Sequence, residues 1–377
     1  LSAVGQDKIT QRAITLGADY YVVKPFDMDI FTKRIRDMFN DTIGNNDDLI
    51  DLKEFTSTFA LKIDSFISEE IERWRKIDDS ILPPLLALSN FISNGGKRLR
   101  PAFCYLGAKL MGTKDNDGLL LNAACALELL HNFALVHDDF MDKSDTRRGA
   151  PTVHKFLQNY YSELDYRGDI EHFAASVAIL AGDFAFTYVD TFVRDLPKRC
   201  LDIYGILKVE LFAGQQMDID AGYRKKVSKD LISKIAQYKS GKYTIERPIH
   251  MGALITNENA PLEKLSNFGS PLGEAFQLRD DILGIFGDHD KTGKPVGDDI
   301  REGKYTLLMA YAVENANEKE KEILDLRGSS NISQKSIDDI VTIIIENGAL
   351  EYVEKRISSL YDEALIALDS IETNQDA

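Results

Sequence analysis

Asp138, Asp139 and Asp142 lie in the motif DDFMD at the end of the apolar run Leu119 to Phe140, and Arg147 and Arg148 follow in TRRGAPTVH. If a helix continues through the motif, Asp138 and Asp142 share one face. There the carboxylates repel one another and oppose the helix macrodipole unless cations sit between them. Carboxylate oxygens without His or Cys suit Mg²⁺, a hard cation that keeps several waters and bridges to substrate phosphates. One short acidic cluster alone fits a solvated helix end equally well. A second cluster shifts that balance: in FQLRDDILGIFGD, Gln277, Asp280 and Asp281 again close an apolar helical stretch, and TGKPVGDDIREGK follows. Two such helices facing each other would hold metal ions around one diphosphate.

Upstream, GGKRLRP crowds Lys97, Arg98 and Arg100 into four residues behind Gly95 and Gly96. Glycines let backbone approach an anion, and arginine offers a planar fork of donors that matches phosphate oxygens. The pattern is a diphosphate grip and lacks the GxxxxGK[ST] of a Walker loop. It also runs against the net charge of −16. His131 stands seven residues before Asp138, two turns and ~10 Å up the same helical face, a spacing suited to two diphosphates side by side. A lone histidine in an apolar helix is more often core, but this register favours a ligand role. Gln215 and Gln277 could each direct a neutral dipole at a cation or a metal-bound water, although for Gln215 a helix-capping role is nearly as well supported.

GGKRLRP, HNFALVHDDFMDKSDTRRGAPTVH, LFAGQQMDID, YKSGKYTIERP, FQLRDDILGIFGD and TGKPVGDDIREGK occur in an order and spacing that resembles the trans-isoprenyl diphosphate synthase, or polyprenyl synthetase, family. The resemblance covers about residues 50 to 377. It implies a Mg²⁺-dependent prenyltransferase that condenses isopentenyl diphosphate with an allylic diphosphate head to tail. Asp138, Asp142 and Asp280 are then the expected direct Mg²⁺ ligands, with Asp139 and Asp281 as second choices. Arg147, Lys239 and Lys294 match positions that hold the allylic diphosphate. Lys97, Arg100, His131 and Arg148 match those that hold isopentenyl diphosphate. Ser240, after Lys239, stands where threonine is usual and keeps the hydroxyl. The second motif reads DDILG, with Gly284 where many members carry a third aspartate; Asp288 could act there through water.

The elements that must position these groups are helices. Apolar residues recur at three- and four-residue spacing in Leu119 to Phe140, Ala174 to Val193 and Ile340 to Leu368, with few alternating runs. Prolines such as Pro83, Pro84, Pro101 and Pro151 fall at expected helix starts or in loops. With 377 residues, 44% of them hydrophobic, the chain can bury a large core. The expected fold is all-α, a barrel of long helices around a deep central cavity, which is also what the resemblance implies. Cys104, Cys125 and Cys200 are odd in number and lie in or beside apolar helical stretches, so buried reduced thiols are expected. No secretory signal and no run of eighteen uninterrupted apolar residues is evident, so a cytoplasmic enzyme without an integral membrane segment is expected. The acidic balance argues against nucleic acid as a partner. The resemblance implies a homodimer.

Residues 1–40 stand apart. They read as strand end, helix, the strand Tyr20 to Val23, a Lys24-Pro25 turn and the helix Asp29 to Phe39. That order resembles the C-terminal part of a sporulation-type response-regulator receiver, with Lys24 and Ser2 near its lysine and switch hydroxyl. The acidic pocket and phospho-accepting aspartate of a receiver are missing, so a truncated α/β segment without phosphotransfer is expected, joined by a linker over 41–48 to a synthase domain over 49–377.

Product length rests on Phe133 and Ala134, five and four residues before Asp138. In the family, bulk here floors the product cavity. A Phe ~7.5 Å down the helix axis points to geranylgeranyl diphosphate, with farnesyl or longer products open and ordinary core packing of Phe133 equally compatible. Two other classes compete. A class I terpene cyclase would use a similar acidic cage but has no second diphosphate for Lys97, Arg100, His131 and Arg148. A non-enzymatic regulator would be expected to have lost one of the acidic or basic motifs.

Overall fold

The computed structural model describes residues 47–113, 118–224, 226–286, 297–329 and 331–371. The receiver-like stretch 1–40, most of the linker, Asp288 and Lys294 lie outside the described residues. The described chain is all-α apart from one two-residue hairpin, β1 (Thr146–Arg147) with β2 (Ala150–Pro151). By contact pattern it falls into two units, one of residues 46–277 with 357–377 and one containing residues 278–356.

In the first unit, α1 (Asp47–Arg75) takes in the last two residues of the expected linker. Phe55, Phe59, Ile63, Ile67 and Ile71 recur every four residues and are all buried, so one stripe of this helix makes the core contact. α2 (Leu82–Ser93) opens on Pro83 and Pro84, where the missing N–H costs nothing because first-turn donors have no helical acceptor. α3 (Leu99–Leu110) and α4 (Gly118–Met141) follow. α4 is buried nearly all round from Ala123 to Leu130 and is the central helix of this unit. α5 (Val153–Ser162) and α6 (Ile170–Val193) pack beside it through Val136, Val153, Leu157, Tyr161, Ala174, Ala178 and Ala181. Small alanines on α6 let the two long helices approach closely. By length and composition α4 and α6 could each cross a membrane, but α4 is mostly buried in protein and ends in acidic residues.

α7 (Lys198–Tyr223) and α8 (Lys229–Ile235) lead into an eleven-residue π-helical segment, Ala236–Glu246, and then α9 (Arg247–Thr256). α9 meets α3 backbone to backbone, since a Cβ on Gly252 would collide with the Cys104 carbonyl. Cys104, Cys125 and Cys200 are free and buried, as expected, and burial pushes the Cys125 and Cys200 thiols up to about 12.

The helix α10 (Leu262–Phe286) carries Gln277 and the second aspartate motif. In the second unit, α11 (Asp298–Glu302), α12 (Leu307–Asn315), α13 (Glu318–Leu324) and α14 (Gln334–Glu346) follow, and α15 (Ala349–Asp369) begins there. The apolar periodicity from Ile340 to Leu368 belongs to two helices. Asn347 caps α14, and Gly348, at φ +79°, makes the left-handed step that ends it.

Candidate active site

α4 ends at Met141, one residue short of Asp142, yet the Asp142 N–H still bonds the Asp138 carbonyl at 2.8 Å and keeps the helical turn. Lys143 then turns left-handed at φ +56°, the Ser144 N–H bonds the Asp139 carbonyl, and the hairpin returns Arg147 toward the helix end. Arg147 Nε donates to Asp139 Oδ1 at 2.6 Å and its Nη2 to Asp138 Oδ2 at 3.3 Å. Asp139 is fully buried. On the other side of Asp138, Gln215 Nε2 donates to Oδ1 at 3.0 Å and Lys239 Nζ lies at 3.3 Å. Lys239 also pairs with Asp218. The structure thus gathers Asp138, Asp139, Arg147, Gln215 and Lys239 from α4, the hairpin, α7 and the π-helical segment. The sequence reason is visible at Gly214, which precedes Gln215. A Cβ there would strike the Lys239 backbone, so this glycine lets α7 touch the π-helical segment and sets Gln215 beside Lys239.

A second cationic cluster surrounds His131. Gly96 takes φ +133°, and a Cβ on it would lie 2.9 Å from the Arg148 guanidinium, so this turn favours glycine for both backbone shape and space. Arg148, at φ +54°, donates to the Gly95 carbonyl and ties the hairpin to the GGKR turn. Arg98 does not belong to the grip. Its guanidinium is occupied by the buried carboxylate of Glu128 and by the Ile92 carbonyl at 2.6 Å. Glu128 also accepts from Asn132 Nδ2 at 3.2 Å. Arg100 donates to Thr244 Oγ1 at 2.8 Å, and its guanidinium carbon sits 4.1 Å from the Tyr243 ring centroid. Lys97 is exposed and makes no ion pair among the described residues. Burial, then the charges of Arg100, Arg148, Arg147 and Arg98, hold His131 well below the usual imidazole range, so the ring is neutral at pH 7. Burial likewise lowers Arg148.

Phe133 is buried between α6 and α7, with ring centroids 4.6 Å from His137, 4.7 Å from Phe186 and 5.9 Å from Phe212. Ala134 beside it is partly exposed. Ser240 is partly exposed within the π-helical segment, and Gln277 is partly exposed on α10.

The second motif lies near the C-terminal end of α10. Asp280 is exposed and makes no ion pair among the described residues, while Asp281 is partly exposed. The missing third aspartate has a steric reason. A Cβ on Gly284 would collide with the Asp299 carboxylate, which is itself paired with Lys304 at 3.3 Å. Asp299, from VGDDIREGK, therefore occupies space that an aspartate at position 284 would need.

Sequence reasoning missed Tyr243, Asp218, Glu128 and Asp299. Asp218 lies three residues after Gln215, and Glu128 three before His131, spacings that place each pair on one helical face. The π-helical winding that brings in Tyr243 left no readable mark. As to metal, the acidic motifs offer only hard oxygen donors, and no His or Cys stands within either, a donor set that fits Mg²⁺.

The signature of the polyprenyl synthetase family matches residues 85–344. Geranylfarnesyl diphosphate synthase of Aeropyrum pernix is 34% identical over 281 residues, which is 74% of this chain and 85% of that protein. Geranylgeranyl diphosphate synthase of Methanosarcina mazei is 34% identical over 286 residues, 74% of this chain and 81% of that protein. A crystal structure of geranylgeranyl pyrophosphate synthase from Corynebacterium glutamicum, complexed with isoprenyl diphosphate and magnesium, superposes with a TM-score of 0.81 at 36% identity, covering 86% of this chain and 95% of that one.

Proposed function

The chain belongs to the polyprenyl synthetase family and is a trans-prenyltransferase that elongates prenyl chains, and on that premise we propose how its residues divide the work. The observation that carries the reading is one apolar helix, α4, with cationic side chains at each of two levels: Arg147 and Lys239 at Asp138, and Arg100 and Arg148 around His131. Two anionic substrates need two such levels. The allylic diphosphate binds at the Asp138 level, held by Arg147, Lys239 and Lys294, with Ser240 and Gln277 as further polar contacts. Isopentenyl diphosphate binds at the His131 level, held by Lys97, Arg100, His131 and Arg148.

Asp138, Asp142 and Asp280 are the residues that would hold Mg²⁺, with Asp139 and Asp281 behind them. When bound, Mg²⁺ supplies Lewis-acid stabilisation of the charge on the departing diphosphate. The barrier is ionisation of the allylic carbon–oxygen bond, whose electron pair leaves with the diphosphate. Arg147 and Lys239 are already held in place by Asp138, Asp139 and Asp218, so they face the developing charge without reorganising. The alkene of isopentenyl diphosphate then attacks the allylic cation, and loss of a proton to the departed diphosphate restores a double bond. Gln215, aligned by Asp138, offers a dipole beside that cation.

Geranylgeranyl diphosphate is the proposed product. The two relatives named above, equally identical to this chain, carry names for different chain lengths, so the argument rests on Phe133, whose ring packs with Phe186 and Phe212 as a floor for the growing chain. Exposed apolar residues on α6 (Phe173, Ile179, Leu180) and α7 (Ile206, Val209, Phe212) support a homodimer. A soluble, cytoplasmic enzyme without a membrane span completes the reading. The test is incubation of the purified protein with isopentenyl diphosphate, each allylic primer and Mg²⁺, with products sized after dephosphorylation. Geranylgeraniol should dominate, and Phe133→Ala should lengthen the product. No elongation with any primer would overturn the substrate assignment; an unchanged product from an active Phe133→Ala enzyme would return Phe133 to core packing.

A further inference from the structure

Tyr243 lies on the π-helical segment and is buried, and its phenol oxygen is 2.7 Å from Nδ1 of His131. Only two arrangements of the proton are possible. If Nδ1 carried it and donated to the phenol oxygen, the phenol O–H would need another acceptor. Arg100, the charged neighbour over the ring, has only donors and can take no proton. No other acceptor contacts the phenol oxygen among the described residues, so that arrangement leaves a buried donor unsatisfied, at a cost of about 1–3 kcal/mol. In the other arrangement the phenol donates to Nδ1, and both the phenol O–H and Nδ1 have a partner. Nε2 of His131 makes no hydrogen bond to protein among the described residues and is not among the buried, unpartnered atoms, so it is the ring atom left open to a ligand.

We propose that Tyr243 is a positioning residue that fixes the tautomer of His131, donating its O–H to Nδ1 so that the neutral imidazole presents an N–H at Nε2 to the diphosphate of isopentenyl diphosphate. The proposal rests on the substrate assignment above for the ligand, but not for the tautomer. A neutral histidine among arginines adds no further charge to the cluster, and its value to an anion depends wholly on which nitrogen carries the proton. With the other tautomer, a bare lone pair would face the phosphate oxygens and repel them. Tyr243 thus couples the winding of the π-helical segment to recognition at α4, while Arg100, held by Thr244 of the same segment, is placed by the neighbouring residue. The segment that carries Lys239 for one substrate arranges two groups for the other.

The experiment is ¹⁵N NMR of the histidine-labelled full chain without substrate, with the His131 signals assigned from His131→Gln. The expected spectrum shows a single neutral tautomer protonated at Nε2, and Tyr243→Phe should convert it to a mixture. An imidazolium, or a proton on Nδ1, in the unmutated protein would overturn the proposal, as would an unchanged tautomer in Tyr243→Phe. In kinetics, Tyr243→Phe should raise KM for isopentenyl diphosphate about tenfold while KM for the allylic primer stays within about twofold. Equal changes in both would overturn the positioning role. A tautomer shift with no change in either KM would instead overturn the placement of His131 against diphosphate, which separates failure of the substrate assignment from failure of the tautomer argument.

Discussion

The two aspartate motifs begin alike, as paired carboxylates on a long helix, and are built in opposite ways. At the first, Asp138 and Asp139 are met by Arg147, Lys239 and Gln215 from three other elements. At the second, Asp280 is exposed and no cation among the described residues reaches it. The first motif sits in a preorganised polar frame, whereas Asp280 of the second offers its charge to solvent. Preorganised charge aids catalysis because it costs no reorganisation as the transition state forms. The difference teaches that like sequence motifs need not have equal structural support.

Both motifs are proposed to be essential to turnover, and that common demand is the sharpest test. Asp138→Ala and Asp280→Ala should each lower kcat by at least about a thousandfold, and chelation of Mg²⁺ should abolish activity. The comparison predicts a split in stability, read from denaturant midpoints. Asp138→Ala leaves partly buried Lys239 and Arg147 with fewer partners and should destabilise measurably, while Asp280→Ala should not. Equal stability losses would break the distinction.

Arg98→Ala probes α4, the helix that carries the first motif, further in at the level of Glu128. It leaves Glu128 buried without its cation and should cost about 3 kcal/mol in urea unfolding. A cost below about 1 kcal/mol would show that the ion pair is screened like a surface one.

Acid provides the next contrast. His250, buried in the first unit, is lowered to about 4 by its burial and by Arg247, while the described residues 278–356 contain no histidine. Between pH 6.5 and about 4 the unfolded chain binds a proton that the folded chain refuses, so stability falls as pH falls through that window. The loss from this group should reach about 3 kcal/mol, and His250→Gln should remove that contribution while leaving the one that His131 makes in the same window. A slope unchanged in the variant would assign the acid sensitivity elsewhere.

The smallest effect belongs to the second motif. Gly284→Asp restores the usual third acid but meets the Asp299 carboxylate, and overpacking with like charge should cost about 2 kcal/mol in thermal or urea unfolding. If Gly284→Asp,Asp299→Ala recovers stability, the steric account holds. A single variant as stable as the parent would refute it.

The all-α class, the long helices α4 and α6 and the buried thiols were legible because apolar periodicity reports burial directly. The gathering of Asp138 with Arg147 was legible too, since short spacing along one chain segment bounds distance. Contacts across α3, α4, α7 and the π-helical segment were not. Nothing local in Glu128 says that Arg98, thirty residues away, will neutralise it, and so Arg98 looked like part of an anion grip. Gly284 looked like a lost ligand because its reason, Asp299, lies across a fold contact. The run Ile340 to Leu368 concealed a helix break because Asn347 and Gly348 interrupt the periodicity by only two residues.

The π-helical segment has one more consequence, for insertions and deletions. Its hydrogen bonds skip one residue more than those of an α-helix, so it holds surplus chain, and a one-residue deletion there could be absorbed by rewinding to the ordinary pattern. Elsewhere in a buried helix the same deletion would turn every following side chain by ~100° and ruin the packing. Here the backbone could survive the loss, but a deletion between Lys239 and Tyr243 would swing one away from Asp138 or the other away from His131. The segment is therefore a place where chain length and fold stability can part company with function, and length variants across 236–246 should yield folded proteins impaired toward one substrate at a time.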